Sequence, residues 1–475
     1  MFTREDFLAS AWAEFPASAC ARWAAVFFSL SVLTMVISLA ASQAFLAAAG
    51  VVYVIDLWPS QSARARNFKT LPILFPAVKL PLALFCLWSI VSVFWATDRA
   101  LGSFAVRKLV LFLIWLLAVN LVVSARHIKF LYQVLFIESA IAGLVGAGQF
   151  AMLYRAARAN HPARIYDFLT VERIHGFMGH WMNFGGQQML VFVALAAFLL
   201  MPPVVQAGID PGALARDSAL GARGRRSPGY TAQSSPGPRI PNPKSRFVWW
   251  AMLAVISLSI VLNFTRGVWL GCFIAVVYLT GRRRPRWLFV LPVLMLLGYL
   301  VAPSLFRQRV DSLRHPSRDP SLSIRFEMWS VGLRMIERHP WVGVGPNNIE
   351  LVYDFYLPSG KTAERGYHSH LHDNFLQFAA ERGLPCLAAW TWLMVALLWH
   401  YRKIRRQLVR AHRENEIWLV DAAIAAWLAI VVEGCFEFNF GTSPVLMLFL
   451  FMSATPFAIA ELDKDKRLEG QTGAA

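Results

Sequence analysis

The chain has 475 residues, of which 57% are hydrophobic and only 16% are charged, and its mean hydropathy is +0.48. A soluble globular protein is nearer half apolar and a quarter charged, so the composition excludes that class and indicates a polytopic membrane protein. In such a protein, we attribute the formal net charge of +18 to loop topology and an anionic substrate, and not to nucleic acid.

About twelve apolar segments approach the length of about 20 residues that a membrane-spanning helix needs. Because the second and eighth segments are short, a total of ten or eleven also fits the sequence. We therefore predict an all-α polytopic membrane protein with about twelve transmembrane helices. The segments are 21–42, 44–58, 80–96, 106–124, 130–153, 185–205, 247–264, 267–280, 287–302, 384–401, 417–432 and 444–460.

Basic residues predict the orientation of this bundle. If the N-terminus lies inside the cell, clusters of Arg and Lys fall in the inner loops, as the positive-inside rule requires. An even number of helices, with both ends cytoplasmic, follows from this orientation. The clusters are Arg64, Arg66 and Lys69; Arg126 and Lys129; Arg282, Arg283, Arg284 and Arg286; and Arg402, Lys403, Arg405, Arg406, Arg410 and Arg413.

Three segments differ from the apolar ones. Residues 206–246 are rich in Gly, Pro, Ser and Arg, which predicts a disordered cytoplasmic loop in contact with anionic membrane lipids. Residues 154–184 and 303–383 form the long outer segments. The second is too long for a bare connection, so we expect it to fold into helices that cap the bundle. It divides the chain into 1–302, 303–383 and 384–475.

Three alternating histidines, His368, His370 and His372, lie in the long outer segment. Asp373 is a suitable N-cap for a short helix that Gly383 ends. His372 then lies beside the positive end of a helix dipole, where an imidazole tends to stay neutral and an anion is stabilised. This environment suits a general base that acts near a phosphate. We expect His368 to be less constrained.

Four other outer side chains suit an anionic substrate. Arg266 lies at the membrane boundary, where its planar guanidinium can bind phosphate bidentately or extend to lipid headgroups. Arg325 stands near the start of an amphipathic helix, where a solvated or salt-bridged arginine is the alternative. Arg173 and His180 close the first long outer segment and could reach the same cavity, although such residues are more often interfacial.

Four motifs in this part of the chain resemble the O-antigen ligase superfamily, which includes O-antigen polymerases and protein O-oligosaccharyltransferases. The sequence is most similar to a ligase, and the resemblance covers roughly residues 173–387. Asp373 and Cys386 depart from the ligase pattern, which has an amide or hydroxyl residue and a glycine there. The motifs are Thr-Arg-Gly-x-Trp-Leu-Gly at 265–271, Arg-x-x-x-Trp at 325–329, His-Pro-x-x-Gly-Val-Gly-Pro-x-Asn at 339–348 and His-x-x-Phe-Leu-Gln at 372–377.

The resemblance implies a GT-C-like glycosyltransferase in the bacterial inner membrane. Such an enzyme moves a glycan from undecaprenyl pyrophosphate to the lipid A–core oligosaccharide at the periplasmic face, with inversion and without a metal or other cofactor. His372 and His370 would be catalytic, and Arg266 and Arg325 would bind the pyrophosphate. The further candidates for substrate binding are Arg173, His180, Asn374 and Gln377.

Three alternatives remain open from the sequence. Within the superfamily, the protein could be an O-antigen polymerase or a protein O-oligosaccharyltransferase. A transporter of lipid-linked glycan would need ionisable residues near the bilayer midplane, whereas the polar motifs lie at the outer helix ends. A metal hydrolase could use the three histidines, but no His-Glu-x-x-His motif supports it.

Overall fold

The computed structural model describes residues 18–64, 73–200, 243–312, 320–358, 360 and 368–472, and within these the chain is all-helical. Short 3-10 turns continue or join several helices. The α-helices, in chain order, are α1 (Ala19–Thr34), α2 (Leu39–Arg64), α3 (Lys79–Val91), α4 (Arg99–Val106), α5 (Leu113–Leu121), α6 (Ala125–Asn160), α7 (Ile165–Val171), α8 (Trp181–Leu199), α9 (Pro243–Leu262), α10 (Arg266–Arg283), α11 (Val290–Val301), α12 (Ser304–Asp311), α13 (Pro320–Arg338), α14 (Ile349–Val352), α15 (Asn374–Arg410), α16 (Glu414–Glu433) and α17 (Ser443–Thr472).

The helices confirm the polytopic membrane class. Among the described residues, seven stretches are long and apolar enough to cross a membrane, and four apolar helices are shorter. Each of the twelve predicted segments overlaps a helix, although the ends of the helices differ from the predicted ends. The seven are Leu39–Leu57, Arg99–Leu121, Ala125–Asn160, Trp181–Leu199, Asn374–Arg410, Glu414–Glu433 and Ser443–Leu462, and the four are Ala19–Thr34, Lys79–Trp95, Arg246–Leu262 and Pro285–Val301.

The centre of the bundle is formed by α8, α16 and α17, which pack on one another and are largely buried. Small residues let their neighbours approach closely, as is usual between membrane helices. A Cβ atom at Gly271 of α10 would lie 2.6 Å from Sδ of Met189 and 3.0 Å from the carbonyl oxygen of Ala429. This close packing places the N-terminus of α10, and with it Arg266, beside the turn that follows α16.

Three of the four predicted inner clusters meet at one end of the bundle, and the cluster of Arg64, Arg66 and Lys69 falls largely outside the described residues. Arg283 and Arg405 donate hydrogen bonds to the buried carboxylate of Asp421 at 2.8 and 2.6 Å. Lys129 lies 3.7 Å from Glu416 at the same end. The predicted outer side chains gather at the other end, described below.

The described parts of the outer segment 303–383 contain helices, as the sequence predicts. Within it, α13 packs on the start of α15 through a small apolar core. Gly383 has a φ of +82° and interrupts the helical geometry of α15, so the predicted end of the short helix is present as a kink. The chain continues directly into an apolar helix beyond the kink, with Pro385 in its first turn. The members of the small core include Met328, Val331, Met335, Val344, Ile349, Tyr353, Leu371 and Ala380.

The predicted loop at 206–246 falls largely outside the described residues, which resume at Pro243. The predicted end of the loop at residue 246 was wrong, because α9 begins at Pro243 and residues 243–246 are helical.

Candidate active site

The start of α15 fixes the segment that carries the histidines. Asp373 is the N-cap, as predicted, and its side chain accepts a hydrogen bond from the backbone N–H of Leu376 at 2.8 Å. Leu371 is fully buried in the small core of the outer segment. Between these two anchors, His372 has a φ of +51°, a left-handed conformation that non-glycine residues adopt infrequently. The fold therefore holds His372 in one orientation at a local energetic cost.

Glu437 is the partner of His372. Nδ1 of His372 lies 2.7 Å from Oε2 of the buried Glu437 carboxylate, and Arg325 donates to the other carboxylate oxygen. Burial alone would raise the pKa of Glu437, but the charge of Arg325 and the hydrogen bond with His372 outweigh it and hold that pKa at about 2. An ionised carboxylate can only accept, so Nδ1 of His372 carries the proton. Nε2 is left as an acceptor, which is the tautomer a general base requires.

The turn after α16 positions Glu437. Asn374 Nδ2 donates to Oδ1 of Asn439 at 2.7 Å, and Asn439 Nδ2 donates to Glu433 at 2.8 Å. The backbone N–H of Asn374 also donates to the carbonyl oxygen of Gly434 at 2.7 Å. These bonds join the turn to the first residue of α15, directly after the segment that carries His372.

Asn374 and Gln377, which the sequence suggested as substrate-binding residues, are both 1% exposed. Oε1 of Gln377 accepts from the backbone N–H of Leu371 at 2.7 Å, and its Nε2 donates to Glu381 at 2.9 Å. Since both amides are buried and bonded internally, they have no face open to a ligand. We assign them a positioning role.

The three histidines have different environments. The ring of His370 lies 4.4 Å from that of His372, and burial, with the nearby His372, lowers the pKa of His370 to about 4. His370 is thus a neutral neighbour of the candidate base. His368 is buried and stacked on Tyr353 at 4.2 Å, away from Glu437. Our expectation that His368 is less constrained was wrong, because its ring packs against the small core of the outer segment.

Arg325 contacts this pair, and three further arginines lie at the same end of the bundle. Arg266 donates to Oγ of Ser312 at 2.9 Å, and Arg309, which the sequence analysis missed, is buried and donates to the carbonyl oxygen of Phe264 at 3.0 Å. Burial lowers the pKa of Arg173, and repulsion by Arg309, Arg325 and Arg266 adds to this against the attraction of Glu437. Each of the other three arginines is near enough to act electrostatically on Arg173, so the four share one region. They create a positive region suited to a phosphorylated ligand.

Arg173 and His180 lie at the edge of this region. The Arg173 guanidinium stacks over the Trp181 ring at 3.9 Å, and its Nε donates to the carbonyl oxygen of Thr170 at 2.7 Å. Nδ1 of His180 accepts from the backbone N–H of Met182 at 3.2 Å and caps α8. Burial lowers the pKa of His180, and Arg173 lowers it further against the opposing effect of Glu437. His180 is therefore neutral near pH 7.

His370, His372 and Glu437 also have the arrangement of a metal site. One ligand atom from each lies within 4.8 Å of the others, so the three could hold a divalent cation. However, Arg325 already pairs with Glu437, and the neighbouring guanidinium groups repel a cation. The charges therefore favour an anionic ligand.

The fold and the site together define a polytopic helical membrane protein with an arginine-rich polar site at one end of the bundle. Residues 251–391 match the family model described as O-antigen ligase. The chain therefore carries an O-antigen ligase family domain, and the members of this family are glycosyltransferases of the O-antigen ligase and polymerase group. No curated protein matches the chain. The matched segment contains Arg266, Arg325, His370 and His372, whereas Arg173 and Glu437 lie outside it.

Proposed function

We propose that this glycosyltransferase moves a glycan from undecaprenyl pyrophosphate to the lipid A–core oligosaccharide, at the periplasmic face of the bacterial inner membrane. The observation that carries the proposal is the contact of His372 with Glu437 among four arginines. A base oriented by a carboxylate can activate an acceptor hydroxyl, and guanidinium groups can stabilise a pyrophosphate leaving group. The GT-C-like assignment belongs to the same proposal.

In the proposed reaction, Nε2 of His372 takes the proton of the acceptor hydroxyl while the hydroxyl oxygen bonds to the anomeric carbon. The bond from that carbon to the pyrophosphate oxygen breaks, and the pyrophosphate leaves with the electron pair. Arg266 and Arg325 stabilise the negative charge that develops on it. A single displacement inverts the anomeric carbon. The Glu437 carboxylate then stabilises the protonated imidazole.

His372→Ala tests the base. We expect it to reduce transfer by roughly 100-fold or more, which is the usual contribution of general-base catalysis, while the protein still binds its lipid-linked donor. His370→Ala should be intermediate, and His161→Ala, a change at an exposed outer histidine, should transfer at the wild-type rate. The assay is transfer between purified donor and acceptor. Full activity of His372→Ala together with an inactive His370→Ala would show that the wrong histidine was chosen.

A chelator distinguishes between two roles for His370, His372 and Glu437, which are metal-free general-base catalysis and metal binding. Under the proposed mechanism, EDTA leaves transfer by the wild-type enzyme unchanged. Inhibition by EDTA that added zinc reverses would contradict the mechanism and support the metal arrangement.

A deletion strain tests the acceptor. If the protein is a ligase, the strain accumulates long glycan chains on the lipid carrier while its lipid A–core stays bare. Accumulation of single repeat units on the carrier would instead identify an O-antigen polymerase. A complete lipopolysaccharide together with unmodified acceptor proteins would identify a protein O-oligosaccharyltransferase.

A further inference from the structure

A basic cavity of about 350 Å³ opens at the end of the bundle opposite the candidate active site. It lies between the C-terminal part of α10, the C-terminal part of α15 and the middle of α16. Four of its lining side chains are arginines, which none of the proposed catalytic steps uses. The lining residues are Tyr278, Arg282, Arg402, Arg405, Arg406 and Ile424.

Asp421 does not line the cavity but holds two side chains that do, Tyr278 and Arg405. This carboxylate is 1% exposed and accepts from Arg283 at 2.8 Å, from Arg405 at 2.6 Å and from the Tyr278 hydroxyl at 3.3 Å. These bonds hold Arg405 rigidly along one wall. Both carboxylate oxygens of Asp421 already accept hydrogen bonds, so Asp421 has little capacity left to neutralise further cations.

The rim of the cavity carries charge that the protein itself does not neutralise. Arg282, Arg402 and Arg406 are exposed, and within the described part of the chain no carboxylate pairs with them. Of the five arginines in or beside the cavity, Arg283 and Arg405 thus share one buried carboxylate, and the other three have none among the described residues. Like charges that are held this close repel one another, so an anion in the cavity would stabilise the arrangement.

Two exposed tryptophans place the cavity at the depth of the lipid headgroups. Trp287, just after α10, is 59% exposed, and Trp399, one turn before Arg402, is 58% exposed. Nζ of Lys403 lies 5.5 Å from the Trp399 ring centroid. Tryptophans beside basic residues at helix ends are typical of the membrane–water interface. A cavity at this depth is in contact with phospholipid headgroups, so a headgroup is the ligand at hand.

We propose that this cavity binds the phosphate group of an anionic membrane phospholipid. Guanidinium groups bind phosphate oxygens bidentately, and basic pockets between membrane helices select anionic headgroups. The lipid would hold α10, α15 and α16 together at the end opposite the site, with no part in the reaction. The proposal does not depend on the identity of the glycan or of the acceptor.

Native mass spectrometry of the full-length protein in detergent tests this assignment by counting bound lipids. We expect phosphatidylglycerol to bind saturably and more tightly than phosphatidylcholine. Arg402→Gln/Arg406→Gln should weaken phosphatidylglycerol binding roughly tenfold or more, since each of these charge-assisted contacts is strong. Arg284→Gln/Arg410→Gln removes the same charge from the same end but not from the cavity, and it should change binding by less than about twofold.

Three results would overturn the proposal. Equal weakening in both double variants would indicate only a diffuse positive surface. Equal binding of phosphatidylcholine would show that the cavity does not select an anion. Displacement of phosphatidylglycerol by inorganic phosphate, but not by chloride at equal ionic strength, would indicate a site for soluble phosphate. If Arg402→Gln/Arg406→Gln is not monodisperse, Arg282→Gln/Arg402→Gln, with both changes at exposed positions, replaces it under the same criteria.

Discussion

The Glu437 carboxylate determines which nitrogen of His372 can act as a base. Because the carboxylate is ionised, it requires a proton on Nδ1 and leaves Nε2 as the acceptor. An amide at position 437 can present an N–H to Nδ1 instead and so favour the other tautomer. The same exchange in a serine protease triad leaves the geometry intact but greatly reduces turnover.

Glu437→Gln should therefore reduce kcat by roughly 100-fold or more while changing the KM for the donor little. Glu350→Gln, at an exposed position of α14, is the matched control and should keep wild-type kinetics. Steady-state kinetics of the two variants check this. A kcat for Glu437→Gln within about twofold of wild type would mean that the carboxylate only supports the fold.

The low pKa of Glu437 also predicts the pH dependence of stability. A carboxyl whose pKa is lower in the folded protein than its unfolded value of about 4.3 stabilises the fold fully above that value. This contribution is lost as the pH falls from about 4 towards 2. We expect the Tm difference between the wild type and Glu437→Gln to be constant from pH 7 to 5 and to shrink below pH 4. A difference that grows on acidification would contradict the assigned ionisation.

Arg266→Lys separates phosphate binding from charge alone. Lysine keeps the positive charge but lacks the planar fork that binds phosphate through two parallel hydrogen bonds. We expect a loss of transfer of roughly tenfold or more with normal membrane insertion. Arg307→Lys, the same exchange at an exposed arginine of the outer segment 303–383, serves as the control for the assay. Wild-type transfer by Arg266→Lys would favour an arginine that only extends to lipid headgroups.

At the level of single residues, the sequence indicated much of the site but not Glu437, the partner of His372 and Arg325. His372, Arg266, Arg325 and Arg173 lie in one region, as their chemistry suggested. Glu437 was missed because it lies 65 residues after His372, beyond a further membrane helix. A signal did exist, since carboxylates are scarce in this chain and Glu437 directly follows an apolar helix. A charge pattern cannot show which helix ends meet. The contact between His372 and Glu437 could therefore be identified only from the folded structure.

Among the helices, α15 depends most on the backbone conformation of a single residue, Gly383. A Cβ atom at Gly383 would lie 2.0 Å from the carbonyl oxygen of Trp341, and the φ of +82° is unfavourable for an L side chain. We expect Gly383→Ala to reduce the yield of folded protein, with a loss of stability of about 1–3 kcal/mol from backbone strain alone. Gly360→Ala, at a glycine with positive φ but open space around it, should cost less. Detergent-solubilised yield and Tm compare the two.

Element types were easier to predict than element ends. Apolar runs identify helices because the bilayer leaves unsatisfied backbone groups no alternative partner. They do not identify where a helix ends once it leaves the apolar region, so α15 extends to Asn374 on one side and Arg410 on the other. The first predicted segment, 21–42, spans a break that the structure places between Thr34 and Leu39. No glycine or proline marks that break in the sequence.

For the whole molecule, the loop charges predict the orientation of both ends. Arg406 lies with the basic clusters at one end, and Glu350 lies on the outer segment. In a cysteine-free background, Arg406→Cys should be protected from an impermeant thiol reagent in intact cells, whereas Glu350→Cys should react. The opposite pattern would invert the topology and place the candidate active site in the cytoplasm.

The turn that carries Glu437 has a consequence for biogenesis. The ribosome releases the chain from the N-terminus, so the arginines and His372 are synthesised well before Glu437. A nascent chain that has inserted α15 holds the cationic residues and the imidazole but lacks the carboxylate that selects the tautomer of His372. Under the proposed mechanism, catalytic competence therefore arises only when the hairpin of α16 and α17 enters the bilayer. A prematurely terminated protein would occupy the membrane without consuming its lipid-linked donor.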